Sequence, residues 1–193
     1  GAEAGSGSSV TSKPSGLQYF SLLRPFTELW IARRFAGLQQ YFQTFRSCNR
    51  AFHINPAQRL DHWCARCDKC CFIDLILSPF LDASVLRRVF AGGGAEPLEN
   101  PDLLGQFDTL LGLVPGAKPW ECVGDVGECQ VAAQLASARP GRAGSPILTS
   151  LVTRLGAVGG RADDTALAAA EALLQPVGRH FIPEAYLPDE LRG

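Results

Sequence analysis

Three thiols within seven residues constrain this chain more than any other feature it has. Cys64-Ala65-Arg66-Cys67-Asp68-Lys69-Cys70 spaces its cysteines two residues apart. A tight turn with that spacing aims successive sulfurs at one centre, and a tetrahedral zinc takes thiolates at about 2.3 Å. A closed structural site needs a fourth ligand. Cys48, in Arg46-Ser47-Cys48-Asn49-Arg50, is the best placed, because the intervening loop can bring it back. His53 and His62 stand in reserve. Cys71 directly follows Cys70 and is expected to point away, into the core.

Two other readings of the cluster are weaker. Free cysteines are good small hydrophobes, but these are flanked by Arg66 and Lys69 on a polar loop. A redox Cys-x-x-Cys needs a thioredoxin-like strand before it, and none is apparent. The full count of seven cysteines is odd, and four of them crowd into residues 64–71, which makes a poor disulfide framework. Such a cluster fits metal binding in a reducing compartment, so a cytoplasmic location is expected.

At 193 residues with 46% apolar content, the chain is long enough to bury a core as one domain or as a piece of a larger one. A net charge of −1 lacks the basic excess of a nucleic-acid binder, so no nucleic-acid partner is expected. No apolar run approaches the ~18 residues of a membrane span. Residues 1–16 read as a flexible lead-in, and the chain contains no Met. The numbered start is therefore not expected to be a native translation start, and further chain is expected upstream of it.

The punctuation predicts short helices. Thr27 is placed to cap a helix carrying Leu29, Trp30, Arg33, Arg34 and Phe35. Tyr41-Phe42-Gln43-Thr44-Phe45 alternates like a short strand. Residues 72–81 read as a helix ending around Ser78-Pro79, and Asn100-Pro101 opens another that Gly112 closes. Asp125 with Glu128 has the form of a capping box for a helix through Ser137. Ser145-Pro146 opens a helix that stops at Gly156, and Asp163 caps an Ala-rich one from Thr165 to Gln175. Gly92-Gly93-Gly94 reads as a loop. The predicted fold is mainly α, with one or two strands near its start.

Four ordered blocks carry a resemblance. They are Tyr19-Phe20-Ser21-Leu22-Leu23-Arg24-Pro25-Phe26-Thr27-Glu28-Leu29, Phe45-Arg46-Ser47-Cys48-Asn49-Arg50, Trp63-Cys64-x-x-Cys67-Asp68-Lys69-Cys70, and Lys118-Pro119-Trp120-Glu121-Cys122-Val123-Gly124. Together they resemble the ATP-dependent UDP-N-acetyl-muramoyl-L-alanyl-L-glutamate epimerases of bacterial peptidoglycan synthesis, the MurL family, over residues 17–130. The resemblance implies the C-terminal part of an α/β adenine-nucleotide (PP-loop-like) fold with a four-cysteine zinc site. It also implies consumption of ATP with Mg²⁺ and conversion of the terminal L-Glu of UDP-MurNAc-L-Ala-L-Glu to D-Glu. The Ser-Gly-Gly-x-Asp-Ser loop that holds ATP pyrophosphate in this superfamily has no counterpart here, so a missing N-terminal half is expected to supply it. On this reading residues 17–137 form the family-like domain and residues 145–193 a helical C-terminal extension.

Several side chains suit the chemistry so implied. Arg46, Arg50 and Lys69 can bind phosphate or carboxylate, or can equally be surface charge around a metal loop. Asn49 can orient a substrate group or cap a turn. Glu121 and Cys122 are the candidate proton-transfer residues, with Cys129 as a second thiol to pair with Cys122. Packing is the stronger reading of Cys122, near Trp120, and of Cys129, on a buried helix face, and His180 reads as structural or solvent-facing. The competing function classes are a non-catalytic zinc-organised interaction module and another ATP-pyrophosphatase-type enzyme.

Overall fold

The structure is a computed structural model that describes residues 17–117, 123–142, 144–157 and 163–192. Its helices are α1 (Glu28–Ala36), α2 (Asp68–Leu77), α3 (Ala83–Phe90), α4 (Leu104–Leu110), α5 (Val126–Ser137), α6 (Pro146–Ala157) and α7 (Asp163–Leu173), joined by short 3-10 turns. No strand occurs among the described residues, and none of their helices is long and apolar enough to cross a membrane.

The expected strand at 41–45 is instead a 3-10 turn at Gln39–Tyr41 running into further turns, with the Phe45 amide donating to the Tyr41 carbonyl at 2.9 Å. Residue spacing explains the correction. Phe42 and Phe45 are three apart, which puts them on one side of a helical turn and on opposite faces of a strand. Both meet Phe35 of α1, at ring separations of 5.3 and 4.6 Å.

Most predicted caps form. Thr27 accepts from the Trp30 amide at 3.0 Å, Asn100 from Asp102 at 3.2 Å and Asp125 from Gly127 at 2.7 Å. The second helix begins at Asp68, four residues before the expected start, so that Cys70 and Cys71 lie in its first turn. The last helix runs Asp163–Leu173, displaced toward the N-terminus from the expected 165–175. The capping box at α5 does not form. The Glu128 carboxylate reaches across to the Leu29 amide of α1, 2.7 Å away.

The core is built around α2 and α5. Helix α2 buries Cys70, Cys71, Phe72, Asp74, Leu75, Ile76 and Leu77, nearly its whole circumference. Helix α5, packed against it, buries the small residues Ala132, Ala133 and Ala136, each 0% exposed, which lets neighbouring helices approach closely. Helices α6 and α7 lie on α5, and Thr27 Oγ1 donates to the Leu173 carbonyl at 2.6 Å, tying the end of α7 to the start of α1.

One polar cluster sits inside this core. Asp74 on α2 accepts from the Leu98 amide at 2.8 Å, and Glu96 pairs with Arg142. Burial, and then the Glu96 charge, push the Asp74 carboxyl well above the ordinary carboxylate range. Asp74 Oδ1 and Glu96 Oε2 lack other partners, so a proton retained on Asp74 lets it donate to Glu96. Charge in the cluster then reduces to one Glu96–Arg142 ion pair.

Candidate functional site

The four predicted cysteines come together. Sγ of Cys64 lies 3.6 Å from that of Cys70, Cys67 is 3.5 Å from Cys70 and 3.9 Å from Cys48, and all four sulfurs fall within 4.8 Å of one another. Ligands at 2.3 Å on a tetrahedral ion are about 3.8 Å apart, so the set matches that geometry. A disulfide requires about 2.0 Å and is excluded.

Each ligand has a local cause. Ala65 adopts φ +54°, the only non-glycine residue in the left-handed region among those described, and this folds Cys64–Cys67 into a knuckle. Backbone amides of Arg66 and Cys70 donate to the Cys64 and Cys67 sulfurs. Cys67 occupies the N-cap of α2 and Cys70 its first turn, where amide dipoles favour thiolate. Cys48 precedes the 3-10 turn at Asn49–Phe52 and is fully buried.

Electrostatics also call for a cation. Hydrogen bonds from Cys67 and then Cys70 hold the Cys64 thiol far below its ordinary range. The Cys64 sulfur in turn pushes Cys67 up to about 12 and Cys70 higher still. A divalent ion stabilises the thiolate form of all four.

Aromatic rings and glycines brace the knot. Trp63 stands edge-on to Phe45 at 5.2 Å and to Phe90 of α3 at 5.5 Å. The predicted glycine loop serves as a cover. A Cβ on Gly93 would lie 2.5 Å from the Trp63 carbonyl oxygen and 2.6 Å from Ala65 Cβ, and one on Gly92 would lie 2.5 Å from His62 Cβ.

The remaining predicted residues scatter. Arg46 donates to the Asp61 carbonyl, bracing the loop. Asn49 and Arg50 are exposed on their 3-10 turn. Lys69 is half-buried and lines a cleft of about 320 Å³ beside the knot. His53 accepts from the Asn55 amide at 3.1 Å and His62 pairs with Asp61 at 2.7 Å, so neither reserve ligand joins the sulfurs. Cys71 is buried away from the four, as expected, and burial raises its thiol pKa. Glu121 and Cys122 lie outside the described residues. Glu28 and Ser47 also line the cleft but carried no motif signal of their own; their one clue was membership in the quoted blocks.

The class so defined is a small helical domain knotted by a four-cysteine centre. The family model of the MurL C-terminal domain matches residues 44–166, and the chain belongs to that family. It is 39% identical over 170 residues to a UDP-N-acetyl-alpha-D-muramoyl-L-alanyl-L-glutamate epimerase of Salinispora tropica, covering 87% of this chain and 34% of that protein. Similar relatives with the same name come from Micromonospora sp., 36% identical over 87% of this chain and 35% of that protein, and from Xanthomonas oryzae pv. oryzae, 40% identical over 64% and 26%. The chain thus spans about a third or less of the curated relatives it matches. No solved structure matches it.

Proposed function

We propose that this chain is the C-terminal part of an enzyme that converts the terminal L-Glu of UDP-MurNAc-L-Ala-L-Glu to D-Glu in the cytoplasm, during peptidoglycan synthesis. The observation that carries the reading is membership of the MurL C-terminal domain family, together with the name shared by its relatives. An N-terminal PP-loop-like portion supplies the ATP and Mg²⁺ site.

The chemistry explains the need for ATP. Removing a Cα proton beside an ionised carboxylate builds two adjacent negative charges. Adenylating that carboxylate with ATP releases pyrophosphate and removes the first of them, so a base can take the proton and return it to the opposite face, after which water cleaves the acyl adenylate and AMP leaves. Within this chain, Cys48, Cys64, Cys67 and Cys70 hold a structural zinc whose role is to lock the loop before α2 onto the helix. Arg46, Asn49, Arg50 and Lys69 are the polar groups around that loop assigned to phosphate or carboxylate contacts. Glu121 and Cys122 are assigned to proton transfer, directly before Val123 and Gly124 of the cleft wall. The full-length polypeptide, incubated with ATP, Mg²⁺ and the UDP-linked dipeptide, is expected to release AMP and yield D-Glu on chiral analysis. Unchanged L-Glu contradicts the reading.

A further inference from the structure

Four stretches far apart in the chain meet at the cleft beside the knot. Glu28 comes from the first turn of α1, Ser47 precedes Cys48, Lys69 stands in the first turn of α2, and Gly124 lies just before α5. Each belongs to a different one of the four blocks read from the sequence. Phe72 and Ile73 line the cleft between them. A Cβ on Gly124 would lie 2.6 Å from the Phe72 ring and 3.4 Å from Glu28 Cγ, so any other residue there intrudes on the space.

The lining is divided in charge. Lys69 and the Ser47 hydroxyl offer donors to an oxyanion, while the Glu28 carboxylate offers only acceptors. Glu28, Ser47 and Ile73 are shared with an adjoining groove of about 220 Å³, whose wall is apolar through Ile31, Phe35 and Ile76. The fitting ligand therefore carries an oxyanion, an N–H donor and a short aliphatic stretch. About 320 Å³ is at the lower end of ligand pockets, on the scale of a dipeptide.

We propose that this cleft binds the L-Ala-L-Glu end of the substrate: Lys69 and Ser47 hold a glutamyl carboxylate, Glu28 accepts from the peptide N–H, and the apolar groove takes the aliphatic carbons. The identity of the peptide rests on the epimerase reading; the division of charge does not.

The test uses the full-length polypeptide with Glu28→Gln, Lys69→Gln and Ser47→Ala, with Arg154→Gln as a remote control and bound metal measured in each to confirm an intact knot. KM for the UDP-linked dipeptide is expected to rise about tenfold in the Glu28 and Lys69 variants, with KM for ATP unchanged, since each loses one charge-assisted hydrogen bond. Saturation-transfer NMR with free L-Ala-L-Glu gives a direct readout. Transfer to the dipeptide is expected in the wild type, much weaker transfer to its diamide, and loss in both variants. Unchanged KM and transfer in the variants overturn the proposal, as does displacement of the dipeptide by equimolar inorganic phosphate, which marks a phosphate site. Absent epimerisation by the wild type, with dipeptide binding that still depends on Glu28 and Lys69, sinks the epimerase reading and leaves this site standing.

Discussion

The Glu128 carboxylate on α5 accepts from the Leu29 amide at the start of α1, 2.7 Å away and 99 residues apart in sequence. It does the work of a cap for a helix it does not belong to, satisfying an amide that the first turn leaves without a partner. Glu128→Ala is expected to cost about 1–3 kcal/mol in denaturant unfolding, the penalty for a buried donor left unpaired.

Glu128 also predicts a pH dependence. Burial pushes its carboxyl above the ordinary carboxylate range. A raised folded-state value means the native state binds the proton more tightly than the unfolded state, so this contribution is full below the unfolded value and declines as pH rises through the folded one. Glu128→Gln keeps an acceptor for Leu29 without the charge. Its melting temperature relative to wild type is expected to climb from about pH 4 toward neutrality. A flat difference contradicts the assignment.

The Asp74–Glu96–Arg142 cluster makes a sharper contrast between two variants. Asp74→Asn retains an acceptor for Leu98 and is expected to be nearly neutral at pH 7, because burial and the Glu96 charge favour the protonated form that Asn mimics. Arg142→Met leaves Glu96 buried without its cation and is expected to cost about 3–5 kcal/mol. Equal losses in chemical denaturation of the two variants contradict a protonated Asp74.

Gly93 packs on the cysteine knuckle too closely for any side chain. Gly93→Ala forces the 63–65 backbone to move and is expected to cost about 1–3 kcal/mol, as overpacking does, and to weaken metal retention against a chelator. Gly105→Ala, with nothing within 4 Å of its Cβ, is the matched control and is expected to keep both properties.

The legible part of this molecule was the part written in local chemistry. Cys-x-x-Cys spacing and the caps at Thr27, Asn100 and Asp125 depend on a few neighbouring residues, and all of them formed. The misread strand at 41–45 turned on where its aromatics pack, since Phe42 and Phe45 follow Phe35 across a gap that alternation alone does not register. Glu128 was misread for the same reason. Its position after Asp125 is that of a capping box, yet its partner is on another helix. Glu28 and Ser47 gained meaning only when folding brought separate blocks to one cleft.

Separate roles for neighbouring thiols are also testable. Cys67→Ser removes a sulfur 3.5 Å from Cys70 and is expected to release the metal and lower the melting temperature of the whole domain. Cys71→Ala, one residue beyond Cys70 on the same helix but outside the four, is expected to retain full metal content with a smaller loss from core packing.

The most direct test of the four-cysteine centre is the metal content and cobalt spectrum of the purified chain. One zinc per chain is expected, together with the visible absorption of a tetrahedral thiolate site after exchange with Co²⁺. A chain that folds fully with no bound metal, and gives no thiolate spectrum with Co²⁺, contradicts the account.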